Sequence, residues 1–322
     1  MISLDYLLDS DPFVEYATRL NILYQPKIEL IELHNKLLSD FRIQKLLDDV
    51  SNFYDYPITN HKNPEIPLHK LIFLLDIGLS TDVPQIEKAI NQILSHKDEN
   101  GMYYHSMRIS KSFGGTSESV LAWAFCDAPL LLYILNKVHL DYEKHIQNGI
   151  EYILGLSYDN GFPCVVSNQL GKFRGPGKKS DNCPYATLVI LKMLSQIPEY
   201  LDAQIVINSI DYLFMLWDNS YELHPYMFFM GNDFRKLKAP TIWYDIINFV
   251  DILSSFPYAK KDKRFQQMLD IIENKINTNG SFTPESVYLK CSNFDFGHKK
   301  LPSQWLTYKC IDILYRNERL SF

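Results

Sequence analysis

The stretch GKFRGPGKKSDNCPYATLVIL, residues 171–191, concentrates groups that could do chemistry. Lys172, Arg174, Lys178 and Lys179 stand among three glycines and a proline, followed by Asp181, Cys183 and an apolar run opened by Pro184. Cations on a loop stiffened by Gly175, Pro176 and Gly177 suit an anionic group, because little ordering cost is left at binding. Arg174, Lys178 and Lys179 are therefore candidate ligand-binding residues. A carboxylate and a thiol two residues apart suit metal binding or proton transfer, since nearby cations lower a thiol's pKa. Asp181 and Cys183 are accordingly candidate catalytic residues. Asp127 is the third, and with Asp159 and Asp181 it supplies the carboxylates from which an acid–base pair would be drawn.

The elements that position these residues repeat. Turn sequences ending at Gly101, Gly161, Ser220 and Gly280 are spaced by 60, 59 and 60 residues, and Ile93, Ile153, Tyr212 and Ile272 precede them in register. Asn-Gly suits the left-handed conformation that ends a helix. A second marker interleaves with the first: Pro67, Pro129, Pro184, Pro240 and Pro302 each begin an apolar helical run. Proline is favoured at the first helical position, where its missing N–H costs nothing. Each unit reads as an amphipathic first helix, a turn, an irregular loop and a second helix apolar on all sides, hence buried. The spacing predicts helices starting within two residues of all five prolines. It gives one all-α domain over 1–322, with five helix pairs over 40–316 and an N-terminal helical extension over 1–39 that supplies a possible sixth pair.

Composition narrows the function. A net charge of −6 disfavours a nucleic-acid-binding surface. The N-terminus lacks the basic start and apolar core of a signal peptide, and no apolar run is long enough to span a bilayer. Five cysteines, an odd and sparse set, read as reduced thiols in a cytoplasmic protein. Four of them, Cys126, Cys164, Cys183 and Cys291, fall in or beside the loops that precede the second helices.

The segments YILGLSYDNGF and PSQWLTYKCIDIL, recurring with this period, resemble the α/α-toroid superfamily of terpenoid cyclases and protein prenyltransferase β-subunits. LLDSDPFVEYATRLNIL narrows the resemblance to a bacterial and archaeal group of squalene-cyclase-like proteins without an established activity. The resemblance implies a barrel of inner helices wrapped by outer ones, with the irregular loops and inner-helix N-termini at one end. It also implies an apolar, isoprenoid or anionic-lipid ligand in a central cavity, lined by Tyr185, Trp243 and Trp305. In prenyltransferases an Asp-x-Cys before an inner helix binds catalytic zinc. Asp181 and Cys183 occupy that setting, with zinc as the implied cofactor and His105, His224 or His298 as substitutes for the family's histidine. The Asp-x-Asp-Asp and Asp-Asp-x-x-Asp motifs of terpenoid cyclases do not occur. A non-enzymatic interaction scaffold and, below it, a carbohydrate-active toroid are the alternatives.

Overall fold

The computed structural model describes residues 4–178 and 180–322, so Lys179 lies outside the described residues. The helices of eight residues or more among them are α1 (Pro12–Asn21), α2 (Ile31–Ser39), α3 (Phe41–Ser51), α4 (Pro67–Ile77), α5 (Pro84–Leu94) and α6 (Ala128–Lys137). They continue with α7 (Gln147–Gly155), α8 (Pro184–Leu194), α9 (Gln204–Asp218), α10 (Ile246–Leu253), α11 (Lys263–Glu273) and α12 (Gln304–Arg316). Two two-stranded fragments, His105–Met107 with Val120–Ala122 and Lys238–Ala239 with Ser286–Val287, are confined to the connections. The protein is all-α. No helix of the described residues is long and apolar enough to cross a membrane.

The helices apolar on every side are the ones that meet. Every residue of α8 is buried, and only Asp76 of α4 escapes full burial. Helices α4, α6, α8, α10 and α12 touch in that order, α12 touches α1, and α1 touches α4, so six helices close a circuit. The N-terminal segment thus contributes a member of the ring. Around it, α3 leans on α4, α7 on α6, α9 on α8, and α11 on α10 and α12. These bury one stripe each: in α11 that stripe is Phe265, Met268, Leu269 and Ile272.

The repeated turn residues do the same work in different units. Gly101 and Gly280 take positive φ values of 83° and 80°, where a side chain would be strained. Just past two of the turns, the amides of Phe162 and Phe282 bond to Thr187 Oγ1 and Thr307 Oγ1, at 3.1 and 2.9 Å. Their carbonyls receive the amides of Cys183 and Ser303. Each loop is thereby clamped to the first turn of the next inner helix.

One of the five proline-started helices differs from expectation. The chain after Pro240 turns, with the Ile242 amide donating to the Pro240 carbonyl, and bends over 243–245, so that α10 begins only at Ile246. Asp245 decides this, because its carboxylate receives the amides of Ile247 and Asn248 at 3.1 Å each and caps the helix there. The freed segment turns Ile242 and Trp243 toward the ring.

Asp245 is fully buried, and its second carboxylate oxygen has no partner among the described residues. Burial pushes its carboxyl up to about 7, against the smaller opposing effect of the capping amides and Lys238. The folded protein therefore holds a proton that the unfolded chain releases near 3.8. Stability from this group is present below that lower value and is lost as pH rises toward 7. Asp245→Asn keeps an acceptor without the charge, so it should raise the melting temperature more at pH 8 than at pH 5. An equal change at both pH values would contradict the assignment.

Candidate functional site

Loops before α4, α6, α8 and α10 enclose a cavity of about 320 Å³ at the N-terminal end of the ring. This is within the roughly 300–1,000 Å³ of small-molecule sites. Its lining is mostly apolar, with Phe125, Phe173, Phe228 and Trp243 among its walls and the thiols of Cys126, Cys164 and Cys183. Polar groups are few: His61, Lys62 and Arg174.

The 171–183 loop forms one wall, and an aromatic ring fixes its shape. Gly175 and Gly177 lie against Tyr226, where a Cβ would come within 2.8 and 2.5 Å of ring atoms. The Tyr226 hydroxyl then donates to the carbonyls of Lys178 and Asp181, at 2.9 and 3.3 Å. The glycines are needed for close approach, and the loop is a fitted wall. It directs Arg174 to the cavity, where the side chain is exposed and makes no hydrogen bond or ion pair among the described residues. Lys178 is exposed and Asp181 half-exposed; neither side chain lines the cavity.

Three of the six ring helices have side-chain caps at their N-termini, and α1, α4 and α6 have none. Cys183 Sγ accepts the amide of Ala186, Asp245 caps α10, and Ser303 Oγ accepts the amide of Leu306. The lining cations that an anion in the cavity would meet are Arg174 and Lys62. The expected low thiol pKa is overturned: burial pushes the Cys183 thiol up to about 12 and raises Cys126 and Cys164. Arg174 opposes this at Cys164 and is outweighed. Cys183 is a neutral helix cap. No group of three His, Cys, Asp or Glu among the described residues is arranged to hold a metal ion, and His105, His224 and His298 do not line the cavity. With Cys183 Sγ engaged as a helix cap, Asp181 off the cavity wall and no third ligand beside them, these residues do not fit a zinc site.

The group that sequence reasoning missed is His61. Its Nδ1 lies 2.9 Å from Oδ1 of Asp127, a carboxylate only 2 % exposed whose Oδ2 has no partner among the described residues. The imidazole is nearly parallel to Trp243, with ring centroids 6.4 Å apart, and Lys62 Nζ sits 5.2 Å from the same indole. His69 holds the backbone beneath, its Nε2 lying 2.8 Å from the His61 carbonyl. Burial drives His69 down to about 4, so it is neutral at pH 7 and must carry its proton on that nitrogen, since a carbonyl only accepts.

The aromatic candidates divide. Trp243 lines the mouth, its ring 4.2 Å from that of Tyr185 and tilted 34° to it. Tyr185 and Trp305 instead face the middle of the ring. There Trp305 contacts Phe13, Phe73 and Tyr308, and the space left measures about 30 Å³. That is room for about two waters, at roughly 10–15 Å³ each. The expected central cavity is filled with side chains, and the ligand-sized space has moved to the mouth.

No family model matches this chain, and no curated protein matches it. Among solved structures, the type II terpene cyclase MstE from Scytonema, in its apo form, overlaps 96% of this chain and 88% of its own, at 11% identity and a TM-score of 0.43. So loose a likeness carries no argument about activity.

At His61, burial lowers the pKa, and the charge and hydrogen bond of Asp127 outweigh it, leaving a net rise above the usual 6.5. Asp127→Ala removes both upward influences and leaves most of the burial. His61 should then titrate below 6.5 in the variant and above it in the wild type, as read by side-chain NMR. An unchanged midpoint would contradict the pairing.

Proposed function

We propose that the protein is a terpenoid-cyclase-like α/α toroid that binds an apolar, isoprenoid-class ligand with an anionic end in its mouth cavity. In this reading Trp243, Phe228 and Phe173 cover the hydrocarbon, while Arg174 and Lys62 meet the anion. His61, oriented by Asp127, exchanges a proton with the ligand through Nε2. The observation that carries the reading is His61 on the wall of an apolar cavity, paired through Nδ1 with the buried Asp127 and with its other ring nitrogen free of any hydrogen bond among the described residues. A carboxylate on Nδ1 fixes the ring and stabilises the imidazolium, as a general acid–base requires.

The pKa limits the chemistry. An imidazolium whose pKa is raised by a neighbouring carboxylate is too weak an acid to protonate an unactivated alkene. Together with the missing Asp-x-Asp-Asp motif, this argues against cyclisation started by alkene protonation. Proton transfer to an oxygen, or from an activated C–H, matches the driving force available at pH 7. The closed six-helix circuit supports the toroid. Neither an interaction scaffold nor a carbohydrate-active site gains a specific observation.

Farnesyl diphosphate and farnesol serve as charged and neutral probes. The diphosphate should raise the melting temperature of the wild type more than farnesol does. Arg174→Ala should weaken diphosphate binding by about tenfold, the loss expected for one charge-assisted contact of about 1.4 kcal/mol, while leaving farnesol unaffected. His61→Asn should retain binding but lose exchange of deuterium from solvent into the bound ligand. The reading fails if neither probe binds, or if Arg174→Ala does not discriminate between them.

A further inference from the structure

At the opposite end of the ring the C-terminal turns of the inner helices converge on a second cavity, of about 450 Å³. Its walls carry Lys137 from α6, Lys192 from α8, and Lys309 and Arg316 from α12. They also carry Asp76 from α4, Asp251 from α10 and Asp312 from α12. Cations are expected there, since the partial negative charge of helix C-termini favours them. Their number exceeds that of the carboxylates, and the pairing shows which one is left over. Lys137 pairs with Asp76 at 2.7 Å and Lys309 with Asp251 at 3.1 Å, while Arg316 bridges Asp251 and Asp312.

Lys192 is the remainder. Its side chain is only 8 % exposed, and its ammonium makes no hydrogen bond or ion pair among the described residues. It rests 4.9 Å from the ring of Tyr133, which faces the same cavity. The neighbouring carboxylates do not release themselves to it. Burial pushes Asp76 and Asp251 up, but the charges of Lys137, Lys309, Arg316 and Lys192 itself more than offset this and keep both ionised in their existing pairs. Lys192 is thus a largely buried lysine whose ammonium has no direct partner and faces the cavity, where an anion could meet it.

We propose that this second cavity binds a small oxyanion, a carboxylate or phosphate group, on Lys192, with Lys137, Lys309 and Arg316 around it. The site is independent of the mouth, because the lumen between the two holds only about 30 Å³ and Asp76, Lys192 and the surrounding aromatics close it. Tyr133, Tyr308, Ser195 and Gln196 provide hydroxyl and amide groups on the same walls.

The test is thermal unfolding of the full chain in inorganic phosphate and, separately, in acetate, each against chloride at matched ionic strength and pH. The wild type should gain melting temperature saturably with at least one of the two oxyanions. The one that saturates at lower concentration distinguishes a phosphate from a carboxylate ligand. Lys192→Met and Lys192→Gln should lose the gain or shift its midpoint by about tenfold or more. Lys88→Ala, an exposed residue of α5 that lines neither cavity, should respond to the oxyanion like the wild type. A wild type that gains nothing over chloride, or a gain that survives in both Lys192 variants, would overturn the proposal.

Discussion

Ring helices that are apolar almost all round, as α4, α6, α8 and α10 are, have nowhere to put that surface except against one another. A layer would leave one face of each wet, so they close a circuit in which α12 returns to α1. Each fully buried Leu, Ile, Val or Phe contributes about 1.5–3 kcal/mol to that closure, set against the entropy of ordering the chain. The other features of the molecule follow from it. Outer helices need only one apolar stripe, because the ring gives them only one surface to cover. The lumen is filled by Phe13, Phe73, Tyr185 and Trp305, because an apolar ring around empty space would forfeit its own contacts. Polar groups and usable space are left to the two ends.

The two ends differ because helix ends differ. At the N-terminal end long loops fold over the ring, and side chains of Cys183, Asp245 and Ser303 take up free amides of α8, α10 and α12. What remains is an apolar cavity with a few placed charges and one acid–base pair. At the C-terminal end the connections are shorter, and lysines and an arginine gather where the helix dipoles favour them. One end suits a hydrocarbon with a charged tip, and the other a small ion.

The ring was legible because its signals are local. Proline at a helix start, Asn-Gly at a helix end and all-round apolarity need no knowledge of distant residues. Where a local signal competed with another, reading failed: Pro240 looked like its counterparts, but Asp245, five residues further on, offered a better cap. The 171–183 loop was legible as rigid, whereas the reason, the ring of Tyr226, lies far along the chain and carries no motif. His61 was invisible for the same reason, since its partner Asp127 is 66 residues away and joins it only through the fold. Cys183 was legible as a residue beside a helix start, but burial, which sequence shows poorly, made it a neutral cap. Lys192 reads as the polar edge of an apolar helix until its neighbours' charges are paired off.

The central claim is that ligand-sized space has moved from the middle of the ring to its mouth. Met227 lines the mouth cavity, whereas Met268 is fully buried in the outer helix α11. Methionine-methyl NMR of the protein titrated with farnesyl diphosphate reads both in one experiment. The account predicts that the Met227 methyl shifts saturably while that of Met268 stays in place. Saturation of the protein with no movement at Met227 would place the ligand elsewhere and contradict it.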